Sequence, residues 1–338
     1  MRFLLVHPAF LGDTVFLGPA VRALKARWPG CEVGLVVSPR GEAVARQMPG
    51  VDEVFVFDKR RADSGLRGIL RLGARLRAFA PDVALVSHPS ARSGAVAWLS
   101  RAPRRIGYAP LCNDKVTLDR GRPFVERSLA LVARAGASTT DRRISLDPPA
   151  ALAGYADETL RGARRPVVGL VPGAEWGTKR WGPDRFAGLA RRLGADGATV
   201  VVLGGPSERE LARAIAEGSG VPVLDTTGNS IAEALALLAR CDLVVGGDTG
   251  LVHCARALGC PTVLLFGPTD PARHVFGDRE RVARVALDCA PCHDHGPERC
   301  PLGHHRCMTE LSIDDVERQA RALLGAGSTP GAGTRSKG

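Results

Sequence analysis

Four short segments of this 338-residue chain combine residues able to move a proton or hold a phosphate. The first, Leu11-Gly12-Asp13-Thr14, follows the apolar run Phe3–Val6. Gly12 allows a sharp turn, and Asp13 then either caps the next helix or serves as a general base that takes a proton from a hydroxyl. The second, Gly173-Ala174-Glu175-Trp176-Gly177-Thr178-Lys179-Arg180, is a glycine-bearing loop ahead of a helix. Backbone N–H groups, a helix N-terminus and the Lys179 charge suit an anion there, although the Walker order of Gly-Lys-Ser/Thr is missing. The plainer reading is a solvated basic loop. The third, Asp248-Thr249-Gly250…His253, places a hydroxyl and free amides at a helix start, which suits a diphosphate. His253 lies about a turn further on, where a structural role competes with a phosphate or sugar contact. The fourth carries Glu208 after a strand, placed either to bind ribose hydroxyls or to cap its own helix.

Cysteines form a fifth pattern. Cys289, Cys292, Cys300 and Cys307 are spaced Cys-x2-Cys-x7-Cys-x6-Cys with histidines interleaved. That spacing suits a structural zinc; free thiols and disulfides are the alternatives, the last disfavoured in a reducing compartment. Asp-x-Asp is absent, which argues against a metal-bound nucleotide-sugar site. Gly-x-Gly-x-x-Gly after the first strand is also absent, which argues against an NAD enzyme.

The elements that must position these residues alternate from end to end. Apolar runs read as buried parallel strands at Phe3–Val6, Val33–Val37, Val54–Phe57 and Val83–Val86. Others follow at Val167–Val171, Thr199–Leu203, Val221–Leu224, Leu243–Val245 and Thr262–Phe266. Helical periodicity fills the gaps, as at Leu66–Phe79, Ala91–Leu99 and Ile313–Leu324. This is the pattern of doubly wound α/β sheets, repeated on either side of residues 162–166. The expected units are 1–163 and 164–325, with a Gly/Ser/Thr/Pro-rich disordered tail at 326–338. In such sheets ligands bind beyond the carboxyl ends of the strands, where the four segments fall.

Charge divides the same way. Residues 1–150 carry 24 Lys/Arg and 13 Asp/Glu, which accounts for the whole net charge of +11; the remainder carries 22 of each. The first half is thus expected to face something anionic, with Arg60, Arg61 and Arg67 as candidate contacts. Only 5% of residues are aromatic, and none interleave with the basic ones, so a nucleic-acid partner is not expected. Asp13 interrupts the apolar N-terminus, which therefore reads as strand, turn and helix of a cytoplasmic protein and not as a signal peptide.

In combination the segments, with Phe266-Gly267-Pro268-Thr269-Asp270-Pro271, resemble the bacterial lipopolysaccharide heptosyltransferases of glycosyltransferase family 9. The cysteine segment with Pro301-Leu302-Gly303-His304-His305 is similar to the heptosyltransferase II branch. The resemblance implies a GT-B fold, two Rossmann-like domains facing across a cleft. It implies an inverting transfer from ADP-heptose to the lipid A–core oligosaccharide, with no cofactor required. Asp13 would be the base, and Lys179 would contact the diphosphate. Gly12, Gly173, Thr178, Glu208, Asp248, Thr249, Gly250 and His253 would line the donor site. The enzyme would work at the anionic cytoplasmic face of the inner membrane. A GT-B transferase for another nucleotide sugar is the nearest alternative, and a basic nucleic-acid-binding protein with a Cys/His knuckle the remote one. The first loop, His7-Pro8-Ala9-Phe10, departs from the family pattern.

Overall fold

Two six-stranded sheets, every pair parallel, carry the chain, and the computed structural model describes residues 1–326. The first half runs β1 (Arg2–Val6), α1 (Leu11–Val15), α2 (Gly18–Arg27), β2 (Glu32–Val37), α3 (Glu42–Arg46), β3 (Glu53–Val56), α4 (Leu66–Phe79), β4 (Val83–Val86), α5 (Ala91–Leu99), β5 (Arg104–Gly107), β6 (Asp114–Lys115), α6 (Phe124–Ala135) and α7 (Ala153–Thr159). The second runs β7 (Val167–Val171), α8 (Pro183–Ala195), β8 (Thr199–Val202), α9 (Arg209–Ser219), β9 (Val223–Asp225), α10 (Ile231–Leu238), β10 (Leu243–Gly247), α11 (Gly250–Ala257), β11 (Thr262–Phe266), β12 (Glu280–Arg284), α12 (Arg306–Thr309) and α13 (Ile313–Ala326).

Strand order is β3-β2-β1-β4-β5-β6 in one sheet and β9-β8-β7-β10-β11-β12 in the other. Both are the same doubly wound order, reversing direction between the first and fourth strands of each sheet. The central strands are apolar on both faces because helices cover both; β4, β7, β10 and β11 are buried throughout. Helix α4 buries Leu72, Leu76 and Phe79 and stops at Ala80, whose left-handed φ of 49° ends the turn. Helix α10 starts on a reciprocal cap, Ser230 with Glu233. The largest apolar cluster contains residues of both halves, Val15 and Leu17 from one with Val252 and Cys254 from the other, so the halves are packed together.

Three strands do not read as strands in sequence. β5 is Arg-Arg-Ile-Gly, β6 has two residues, and β12 is Glu-Arg-Val-Ala-Arg at a sheet edge. Helix α7 packs on the second half: Asn229 Nδ2 donates to Tyr155 Oη at 2.7 Å and Arg240 pairs with Asp157 at 2.7 Å. The final helix continues to Ala326, two residues past its expected end, so the first residue of the expected tail is helical; the other residues of that tail lie outside the described ones.

Candidate active site

Each sheet reverses order at one point, and the chemically loaded loops sit there. Asp13 follows β1 and Ser87–His88 follow β4; the Lys179 loop follows β7 and Asp248 follows β10. Two cavities open between the halves, of about 620 Å³ and 700 Å³. Asp13, Phe16, Arg40 and Phe124 line both, so Asp13 stands in the shared wall.

Asp13 is the third residue of α1, whose cap is Phe10, so the capping role is not the one it plays. It is half-buried, and its pKa is pushed up to about 6. Loss of water is the main cause; a hydrogen bond from the Phe10 backbone opposes it. The nearby Asp248 charge adds to the rise, and Lys179 and Arg127 work against it. A carboxyl poised near neutrality is well matched to general-base work. Gly12 serves another purpose. A Cβ there would lie 3.3 Å from Gly250 Cα, and a Cβ on Gly250 would lie 3.2 Å from the Gly12 nitrogen. The first turns of α1 and α11, one from each half, touch backbone to backbone because both residues are glycine.

The larger cavity is built around Asp248. Its side chain is 9% exposed and accepts from Lys179 Nζ (2.7 Å), Thr269 Oγ1 (2.9 Å) and His253 Nε2 (2.9 Å), with His274 Nε2 at 3.3 Å. Burial opposes its charge, but the two histidine hydrogen bonds and the Lys179 ammonium outweigh that and hold the carboxyl well below its usual range. His253 Nδ1 faces Arg256 Nη1 at 3.1 Å, and Arg256 in turn pairs with Glu280. A guanidinium can only donate, so Nδ1 accepts and the proton sits on Nε2. Burial lowers the His253 pKa to about 3, keeping the ring neutral. A continuous line of partners thus runs from Glu280 on β12 to Lys179 at the cavity. His253 and His274 stack at 4.8 Å, and Phe16 and Phe124 of the first half close over His274 at 5.3 Å each.

Several expected donor contacts are arranged differently. Thr178 is 5% exposed and absent from the cavity wall; its hydroxyl donates to the Pro297 carbonyl, so it anchors the cysteine-bearing segment and does not face a donor. Both His253 ring nitrogens are taken by protein partners. Glu208 lines the cavity but also caps its own turn, accepting from the Gly205 N–H at 2.7 Å. It occupies space that Gly173 leaves open, since a Cβ there would come within 2.4 Å of Glu208 Cγ. Thr249 caps α11 in an extended conformation and its buried hydroxyl has no protein partner, leaving it free for an incoming oxygen.

The smaller cavity is basic. Lys59, Arg60 and Arg61 line it, together with Arg120 and Arg127, whereas Arg67 stands exposed on α4 outside its wall. His7 Nδ1 meets Ser87 Oγ at 2.6 Å, and His7 Nε2 is buried without a partner. Burial, helped by His88, lowers the His7 pKa to about 3.

Asp294 and His295 line both cavities and come from the segment between the cysteines. Asp294 pairs with Arg273 (3.0 Å) and approaches Arg120 of the first half (4.0 Å). Gly296, with φ at 93°, lies over Lys179. The four cysteines are free thiols, and no disulfide links them. Cys307 is drawn into the second core, Cys292 is exposed, and Cys300 accepts from the His305 N–H at 3.4 Å. Among the described residues the one set of ligand atoms gathered within 4.8 Å is Asp248, His253 and His274; the four cysteines are not drawn that close together, although Cys292, Cys300 and Cys289 stand near enough to Cys307 to add to the rise that burial causes in its thiol pKa. The gathered set does not fit a metal well either: Lys179 already supplies the cation at Asp248, and Arg256 abuts His253.

Sequence alone gives no site role to Thr269, His274, Arg256, Glu280 or Asp294, and it marks His295 only as one of the histidines interleaved with the cysteines. Thr269 lies inside a quoted motif, and His274 follows five residues later; nothing local marks Arg256 or Glu280, which matter only through the fold.

The chain is 28% identical over 345 residues to lipopolysaccharide heptosyltransferase 2 of Salmonella typhimurium, covering 96% of this chain and 99% of that one. Its fold superposes on the E. coli ADP-heptose LPS heptosyltransferase II with a TM-score of 0.80 at 25% identity, covering 97% and 100% of the two chains. A family 9 glycosyl transferase from Veillonella parvula gives a TM-score of 0.87 at 22% identity, over 96% and 97%. These neighbours make the two-sheet architecture the GT-B fold of glycosyltransferases. With a family pattern matching residues 69–300, this chain is a glycosyltransferase and belongs to glycosyltransferase family 9, the heptosyltransferases.

Proposed function

We propose that the protein transfers heptose from ADP-L-glycero-D-manno-heptose to the inner core of lipopolysaccharide, with inversion and without a catalytic metal. The observation that carries this reading is the place of Asp13 in the wall shared by a basic cavity and a phosphate-suited one. The acceptor hydroxyl enters from the basic side, whose uncompensated cations suit Kdo carboxylates and lipid A phosphates. Asp13 removes its proton as the oxygen attacks the anomeric carbon. ADP leaves on the far side, toward Lys179, the Thr249 hydroxyl and the amides at the start of α11. These groups are already oriented, so they stabilise charge developing on the diphosphate without reorganising. In this reading residues 1–163 bind acceptor and 164–325 bind donor.

Arg40 and Glu175 pair across the entrance at 2.9 Å, exposed, and separate without large cost. No helix among the described residues is long and apolar enough to cross a membrane, and the enzyme meets its lipid-anchored acceptor from the cytoplasmic side.

The test is a reaction with ADP-heptose and de-acylated Kdo or heptosyl-Kdo acceptors, followed by NMR of the product. The expected outcome is a glycoside of anomeric configuration opposite to the donor's, formed equally with and without EDTA. Retention, a requirement for added metal, or preference for another nucleotide sugar in competition would reject the reading.

A further inference from the structure

The outward face of α4 and α5 is basic and apolar together. α4 buries Leu72, Leu76 and Phe79 and leaves Arg67, Leu70, Arg71, Ala74 and Arg75 exposed. Residues 64–113 contain eight arginines and one acid, Asp82. A solvated helix face usually interleaves both signs, and this one does not. Large apolar side chains stand among these charges: Trp98 on α5 is 56% exposed, Leu111 52% and Leu70 48%.

Backbone contacts draw these groups onto one surface. Gly73 of α4 lies against the Leu99 side chain of α5, which packs the two helices side by side, three residues from Leu70 and one from Trp98. Gly94, one turn before Trp98, is covered by the Pro110 carbonyl, which lays the loop bearing Leu111 on the same helix. Leu111 holds φ at 68°, a left-handed conformation that a leucine adopts only under constraint, while its side chain stays in solvent. The side chains of Arg92 and Arg101 are exposed and make no hydrogen bond or ion pair among the described residues. At the other end the face meets the mouth of the smaller cavity, because the Lys59–Arg61 loop leads into α4.

We infer that this face docks on an anionic lipid bilayer. Trp98, Leu70 and Leu111 enter the headgroup layer, and the arginines lay their stems beside them and pair with lipid phosphates. Tryptophan suits that layer because its ring is apolar and its N–H is wet. Charge complementarity selects anionic over zwitterionic lipid. The inference rests on the proposed reaction in one respect: a lipid-anchored acceptor stays in the bilayer, so the membrane must lie beside the cavity that receives its sugar.

The experiment is flotation of the full chain with vesicles of phosphatidylglycerol and phosphatidylcholine, against phosphatidylcholine alone. It compares wild type with Trp98→Ala and with the pair Arg92→Glu/Arg101→Glu. These side chains are exposed and line neither cavity. Wild type should float with the anionic vesicles and stay behind with the neutral ones. The charge pair should weaken binding on the order of tenfold or more, from roughly fivefold per neutralised arginine. Trp98→Ala should weaken it several-fold. Transfer to a de-acylated acceptor should be unchanged in both variants. Equal flotation of all three proteins overturns the docking face, as does a change in oligomeric state with flotation intact. Failure of wild type to glycosylate the de-acylated acceptor counts against the proposed reaction alone, because flotation is read independently of it.

Discussion

The two cavities treat their charges in opposite ways. Around the smaller one, Lys59, Arg60 and Arg61 make no side-chain hydrogen bond or ion pair among the described residues, and His7 Nε2 is buried without a partner. Around the larger one nearly every charge is cross-linked: Lys179 on Asp248, Asp248 on two histidines, His253 on Arg256, Arg256 on Glu280. A ligand of the first cavity adds partners to groups that have none. A ligand of the second must replace a partner that Lys179 already holds. Affinity in the first is therefore expected to follow charge count and salt, and in the second to follow the geometry of a pre-built network.

The sharpest way to break this comparison is at the shared wall. Asp13→Asn should lower kcat by about 10²–10⁴ while donor affinity is nearly kept. It should also stabilise the fold. A carboxyl whose folded pKa lies above its unfolded one is a liability that grows as pH rises from about 4 to 6, and the amide removes it. Its upward shift from 3.8 to about 6 corresponds to about 1–3 kcal/mol, discounted for partial exposure. Turnover assays with urea melts at pH 7 check both; an active variant, or one no more stable than wild type, contradicts the assignment.

Lys179→Ala tests the network side. Donor KM should rise and kcat should fall together by about 10², because the lysine acts on charge that grows in the transition state. Added Mg²⁺ should not rescue it. A pure KM effect would mean that Lys179 only holds the ground-state diphosphate.

The third prediction concerns acid stability, where the two regions behave alike. His7 and His253 both have pKa values lowered to about 3. As pH falls below 6.5 the unfolded chain takes up protons that the folded chain refuses, so stability is lost with acid. Between pH 6.5 and 5 the loss should reach about 2–3 kcal/mol, with the Asp13 gain set against it. Urea melts across that range measure the slope, and His7→Asn should roughly halve it. A flat profile would mean that these rings titrate normally.

The smallest effect is expected on the loose side. Arg60→Glu with Arg61→Glu should raise acceptor KM on the order of tenfold at low salt and less at high salt, with donor KM unchanged. An unchanged acceptor KM would leave these arginines as a solvated surface.

What could be read in the sequence follows the same divide. Continuous apolar runs such as Val167–Val171 and periodic stretches such as Leu66–Phe79 announce their elements, because burial is written in their side chains. Strands at and next to the sheet edge do not: in β5 the arginine side chains are satisfied by Asp114 of the neighbouring β6 and by the backbone carbonyls of Leu111 and Ala102. Likewise Asp13, Lys179 and Asp248 could be found from loop position, while His274 and Glu280 join the site only when β11 and β12 bring them beside Asp248 and Arg256. Thr178 misled because its motif sits at a phosphate-like loop, yet its hydroxyl turns toward Pro297. The cysteine spacing resembled a metal site, but its segment delivers Asp294 and His295 to the cleft.

The touching glycines of α1 and α11 bear on how the two halves can move. Gly12 and Gly250 leave no side chain between the backbones, one residue from Asp13 and one from Thr249. Any rocking of the halves that keeps this contact must turn about it as a fulcrum. Points farther from the fulcrum would swing more widely. The carboxylate and the amides facing it would scarcely change their spacing. Substrates could thus enter and leave by a lever action that never dismantles the reacting centre.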